Sequence, residues 1–94
     1  MNILCTQGDI TGVIDWGDCC VGDVAADLAS FWILFNSDIA EHSLEHDYHA
    51  SPDQIERGRA CAVFFGLVFL DVGISEHPDY EKVGRTIFEH LNLI

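Results

Sequence analysis

The sequence predicts an α+β fold that is mostly α, with a short N-terminal β-hairpin followed by about four helices. Three observations predict it. Two short apolar runs, Ile3-Leu4-Cys5 and Ile10 to Ile14, flank Thr6-Gln7-Gly8-Asp9, and a glycine-containing loop of that size joins two hairpin strands. Ser51-Pro52-Asp53-Gln54 spells a helix start, with Ser as the cap, Pro at the first helical position and Gln closing a capping box. Near the end of the chain, Tyr80, Val83, Ile87, Phe88 and Leu91 recur at the spacing that puts apolar residues on one side of a helix.

Taken in order, the hairpin comes first and cannot stand alone, because two isolated strands are marginal in water. Gly17 to Gly22 reads as a loop. Asp23 then caps a helix predicted from Val24 to about Phe35 by accepting orphan backbone N–H bonds. That helix is apolar nearly all round, which places it centrally, and Asp27 becomes an acid in the first turns of a helix expected to be buried. Asn36-Ser37-Asp38 ends it and starts another, Ile39 to about Tyr48. The third helix runs from the Ser51 cap to about Val72; its second half is also apolar all round, and Gly66 within it permits a close helix contact. Gly73 to Pro78 breaks the chain before the last helix, Asp79 to about Leu91. There is no internal repeat, low-complexity tract or linker, so residues 1–94 read as one unit.

Composition narrows the class. Of 94 residues, 49% are hydrophobic, enough for a core and against disorder. Sixteen acidic residues against 4 basic ones give a net charge of −12, a surface that repels nucleic acid and anionic membrane and favours a cationic partner. The apolar run Ala60 to Leu70 is shorter than the roughly 20 residues of a membrane span. Cys5, Cys19, Cys20 and Cys61 form no C-x-x-C pair, and the opening Asn-Ile-Leu-Cys has neither a basic n-region nor a cleavage site. Reduced thiols in a cytoplasmic protein are the expectation.

The chemistry-bearing stretch is Ile10-Thr11-Gly12-Val13-Ile14-Asp15-Trp16-Gly17-Asp18, continued by Gly22-Asp23-Val24-Ala25-Ala26-Asp27-Leu28-Ala29. A β-branched run delivers Asp15 to a strand end, where stability needs no carboxylate; such a group is a candidate metal ligand or catalytic group. These residues resemble the second half of the aminoglycoside phosphotransferase family and, more broadly, of protein-kinase-like phosphotransferases, and Asn2-Ile3-Leu4 resembles the end of that family's catalytic loop.

The resemblance implies that residues 1–94 are part of a protein-kinase-like C-terminal lobe. It assigns Asn2 and Asp15 to Mg²⁺ on the phosphates of ATP (or GTP). Asp18, three residues on, is a weaker candidate that a solvated loop acid explains equally well. By the same resemblance Asp27 anchors the catalytic loop; by its position alone it complements the helix dipole. Glu41, Glu45 and Asp47 are the candidates for the acceptor pocket, with nothing to choose among them; the acidic surface is consistent with a small cationic acceptor of the aminoglycoside type, while the resemblance equally admits choline, sugars, amino acids and homoserine-like alcohols. No catalytic residue is assigned: the base Asp would precede Met1, and the glycine-rich loop and strand lysine of the family are not in the sequence. The expected function is therefore the C-terminal portion of an ATP-dependent small-molecule kinase, inactive as this chain.

Two other readings follow from the residues. A small acidic helical binding protein without chemistry would use apolar helix faces, too large to be covered by so short a chain, for self-association. His42 and His46 stand four apart in Glu41-His42-Ser43-Leu44-Glu45-His46, sharing a helix face that can chelate a metal, although the string lacks the H-E-x-x-H order of a zinc protease.

Overall fold

A computed structural model of the chain describes residues 3–14 and 22–94. Strands β1 (Ile3–Thr6) and β2 (Asp9–Val13) pair antiparallel, with Ile3 opposite Val13 and Thr6 opposite Asp9. The turn is the two residues Gln7 and Gly8, at φ 54° and 85°. Positive φ at both central positions matches the right-handed twist of the flanking strands. A register shift between Leu4 and Cys5 bulges the hairpin. Its side chains are exposed or half-buried, and Ile10 keeps 70% of its surface.

The predicted helix Val24–Phe35 is present as two short segments, α1 (Ala25–Leu28) and α2 (Ser30–Leu34). The backbone at Ala29 between them stays right-handed helical, at φ −57° and ψ −28°. The ladder is disturbed by Ser30, whose Oγ donates to the Asp27 carbonyl at 2.6 Å, the side-chain competition that disfavours serine inside helices. This region is not apolar-buried all round. Ala25, Leu28, Ala29 and Trp32 face inward, while Ala26, Asp27, Leu34 and Phe35 face out.

Helix α3 (Ser37–His46) begins two residues earlier than predicted because Asn36 caps it, its side chain accepting from the Ile39 N–H at 3.0 Å. Helix α4 (Pro52–Ser75) opens on the predicted capping box, with Ser51 Oγ accepting from Gln54 N–H at 3.1 Å and Gln54 Oε1 from Ser51 N–H at 2.9 Å. It passes straight through Gly73, where the sequence predicted a break. At 24 residues, α4 is by length and composition long and apolar enough to cross a membrane, a test that core helices of soluble proteins also pass. Helix α5 (Pro78–His90) starts at its proline.

The core holds Leu28, Trp32, Leu44, Ile87 and Leu91, all fully buried. Helix α4 reaches this core with small residues. Gly58, Ala62, Gly66 and Gly73 are its buried positions, whereas Phe64 and Ile74 keep 62% and 74% of their surface. A Cβ on Gly73 would overlap the backbone N and Cα of Glu81, and one on Gly84 would stand 2.9 Å from the Gly66 carbonyl oxygen. Helices α4 and α5 therefore touch backbone to backbone along glycine.

Three bonds close the C-terminal end of this bundle. His90 Nδ1 meets the Trp32 carbonyl at 2.7 Å; since a carbonyl only accepts, Nδ1 carries the proton. Ser37 Oγ donates to the His90 carbonyl at 2.6 Å, and Arg59 Nη2 to the Leu91 carbonyl at 2.7 Å. The last two satisfy carbonyls that the end of α5 leaves unpaired.

Gly73→Ala is expected to destabilise the chain by about 1–3 kcal/mol, because only a backbone shift relieves the overlap. Phe64→Ala, on the outward face of the same helix, is expected to cost no more than about 0.5 kcal/mol. Urea unfolding followed by circular dichroism ranks the two; equal losses would mean that α4 does not present these faces as described.

Candidate functional site

Two regions carry chemistry, the segment after the hairpin and a groove between α3 and α4. At the first, Ile3 pairs with Val13 at the open end of the hairpin. Asn2, Asp15, Asp18, Cys19 and Cys20 lie outside the described residues. The chain is described again from Gly22, and there it is pinned. Asp23 Oδ1 accepts from the Ala25 N–H at 3.0 Å, the helix-opening role its sequence position predicts. Its other oxygen, Oδ2, pairs with Arg57 Nη1 of α4. Arg57 Nε in turn binds Asp53 Oδ2 at 2.9 Å, so a single guanidinium ties Asp23, just ahead of α1, to the first turns of α4.

The Ala25 N–H holds the Asp23 carboxyl below its ordinary range; desolvation opposes it, and the Arg57 guanidinium adds smaller lowering contributions through its charge and its hydrogen bond. Asp53 and Asp23 correspondingly raise the Arg57 guanidinium. Asp27, expected on a buried helix, is exposed. Helix α1 is four residues long and turns Ala25 and Leu28 inward, which sends Asp27 to the solvent side. Among the described residues its carboxylate has no hydrogen-bond partner.

The groove arises from how α3 gives way to α4. The Tyr48 N–H bonds to the Ser43 carbonyl at 3.0 Å and the Ala50 N–H to the Leu44 carbonyl at 2.8 Å. His49 between them sits at φ 61°, the left-handed residue that ends a helix and reverses the chain. With Ala50 buried and Ser51 and Pro52 opening α4, a cleft of about 470 Å³ lies between the two helices, lined by Glu41, Glu45, Ala50, Pro52, Ile55, Glu56 and Arg59. A neighbouring hollow of about 380 Å³ shares Glu56 and Arg59 and adds Ala60 and Val63.

Glu41 and Glu45, one turn apart, supply two carboxylates and Glu56 a third. The one cation on the lining, Arg59, is engaged with the Leu91 carbonyl. A cleft so lined concentrates cations. Of the three acids that the sequence put forward, Glu41 and Glu45 line this groove. Asp47, the C-cap of α3, does not. Glu56 and Arg59 were missed, although the charges in the first turns of α4, Asp53, Glu56, Arg57 and Arg59, were a signal to follow. His42 and His46 lie on the exposed side of α3 with ring centroids 4.4 Å apart. Cys5 is exposed and Cys61 half-buried, both free.

The architecture is thus a hairpin feeding a mostly helical unit, with an acidic groove between two of its helices. The sequence profile of the phosphotransferase enzyme family matches residues 1–61, about two thirds of the chain. The chain belongs to that phosphotransferase family. The matched stretch holds Asn2 and Asp15 and every residue that lines the larger groove. No curated protein and no solved structure matches significantly.

A carboxyl whose folded pKa is lowered adds stability above its ordinary value near pH 4, and that stability is lost as the pH falls through the folded value. Asp23→Asn is therefore expected to flatten the acid limb of the stability profile below about pH 4 while leaving the slope between pH 6 and 8 unchanged. Urea midpoints collected from pH 3 to 8 test this. An unaltered acid limb would mean that Asp23 is not held as described.

Proposed function

We propose that this chain is the C-terminal portion of an ATP-dependent phosphotransferase that moves a γ-phosphate to a hydroxyl of a small cationic molecule of the aminoglycoside type. The observation that carries this reading is the placement of an acidic groove inside the segment that matches the family. Asn2 and Asp15 are the ligands for Mg²⁺ on the nucleotide. A carboxamide and a carboxylate are hard oxygen donors, the chemistry that Mg²⁺ prefers. Bound there, the metal supplies neutralisation of charge on the phosphates.

The chain's own residues do the rest. Glu41, Glu45 and Glu56 hold the ammonium groups of the acceptor and, by fixing its position, set its hydroxyl toward the nucleotide. Arg57 holds Asp23 ahead of α1. Asp27, facing solvent from α1, is available to the catalytic-loop backbone as an anchor. None of residues 1–94 is assigned as the base that takes the hydroxyl proton, and the chain by itself is expected to be inactive. The cytoplasm, which supplies ATP and keeps Cys5 and Cys61 reduced, is the compartment this reading requires. The outward face of α4, with Phe64, Leu67, Val68 and Ile74 exposed, favours a second reading, a helical binding protein that self-associates through that face; size-exclusion chromatography of the chain separates a monomer from such a dimer.

The deciding experiment joins residues 1–94 behind the front portion of an active member of the family and measures phosphoryl transfer from ATP. Transfer is expected in the chimera and not in the chain alone. Asp15→Asn should lower kcat at least about a hundredfold, the scale of a lost metal contact. Glu41→Gln with Glu45→Gln should raise KM for a polyamine-like acceptor with a smaller change in kcat. A folded chimera whose activity ignores Asp15→Asn would overturn the reading.

A further inference from the structure

The histidine pair of α3 has no part in the phosphotransfer reading, and its geometry points to a separate function. We propose that His42 and His46 form a two-imidazole site for a divalent transition metal of the Zn²⁺, Ni²⁺ and Cu²⁺ class.

The first argument is spacing. The two rings stand with centroids 4.4 Å apart and planes inclined at 42°. A metal about 2.0–2.1 Å from each ring nitrogen holds two neighbouring imidazoles with centroids about 4.5–5 Å apart. The pair therefore needs a rotation of side chains, not a movement of backbone, to close on an ion.

The second argument is rigidity. The Asn36 side chain caps α3 on the Ile39 N–H at 3.0 Å, and Ser37 Oγ ties its first turn to the His90 carbonyl at 2.6 Å. Ala40 and Leu44 fix its inner face in the core, with no exposed surface. The helix thus holds one turn between the two ligands before any metal arrives, and little order remains to be imposed on binding.

Charge is the third argument. Glu45 Oε2 lies 4.0 Å from His46 Nε2, and Asp38 and Glu41 share the exposed surface of the helix. These carboxylates raise the local concentration of a dication and balance its charge once bound. Among the described residues no group of three or more metal-ligating side chains stands together, so the remaining coordination positions are left to solvent or to a ligand from outside. Imidazole donors select this metal class over Mg²⁺ and Ca²⁺, which take oxygen. The site is therefore chemically distinct from the oxygen pair assigned to the nucleotide.

The test is thermal unfolding of the full chain at pH 7.5 with and without 1 mM Ni²⁺ (about this concentration, to exceed the dissociation constant of a two-imidazole chelate several-fold). A rise in Tm of about 5 °C is expected, and it should vanish at pH 5, because metal binding requires neutral imidazole. His42→Gln and His46→Gln should each abolish the rise while leaving the metal-free Tm within about 2 °C, since both rings are exposed. In ¹H–¹⁵N spectra, paramagnetic Ni²⁺ should broaden the signals of both imidazoles before any other. A rise in Tm that survives in both single variants, broadening centred on Cys5 or Cys61, or no rise in the wild-type chain would each overturn the proposal.

Discussion

The contact on which the rest of this structure depends is the backbone-to-backbone approach of α5 to α4. Gly66 and Gly73 on one helix and Gly84 on the other leave no room for a Cβ, so the two axes meet more closely than larger side chains would permit. Close approach presents Ile87 and Leu91 to Trp32 and Leu44, and it places the last turn of α5 where Ser37, Arg59 and His90 can bond across to it. The acidic groove inherits this arrangement. Arg59 lines the groove and also holds the end of α5, so the orientation of the one cation there is set by the far end of the chain.

Arg57 and Arg59 divide the first two turns of α4 between two tasks. Arg57 reaches back to Asp23 and ties the approach to α1 onto α4. Arg59 reaches to Leu91 and closes the bundle. Arg57 is paired with Asp23 and Asp53, so the groove sets three carboxylates, Glu41, Glu45 and Glu56, against the single charge of Arg59. The negative character of the groove thus follows from helix packing as much as from composition.

Much of this was legible in the sequence, where local chemistry decides the outcome. The hairpin and the capping box at Ser51 and Gln54 are each fixed by a few adjacent residues, and the structure has both; the last helix starts at Pro78, one residue before the predicted Asp79. The reading failed where distant packing overrides a local rule. Gly73 looked like a helix breaker but lies inside α4, because the neighbouring helix needs a position without a side chain. The apolar stretch from Ala25 to Phe35 looked buried on every side, yet one face is open, since burial is granted by neighbours and this small chain has few to offer. For the site, the motif around Asp15 was visible because it is contiguous. Glu56 and Arg59 were not, because only the reversal at His49 and Ala50 brings them opposite Glu41 and Glu45.

Helix α4 partly reverses the usual relation between size and burial: its fully buried positions are glycine and alanine, Ile55, Phe65 and Phe69 are half-buried against the core, and Phe64, Leu67, Val68 and Ile74 face outward. Selection acts differently on the two faces. The outward positions can exchange one side chain for almost any other with little effect on the fold, whereas the inward ones tolerate almost no growth in volume. Over time this helix would keep its small residues and lose its greasy ones. A descendant would then be recognised by where glycine recurs, not by how apolar the segment remains.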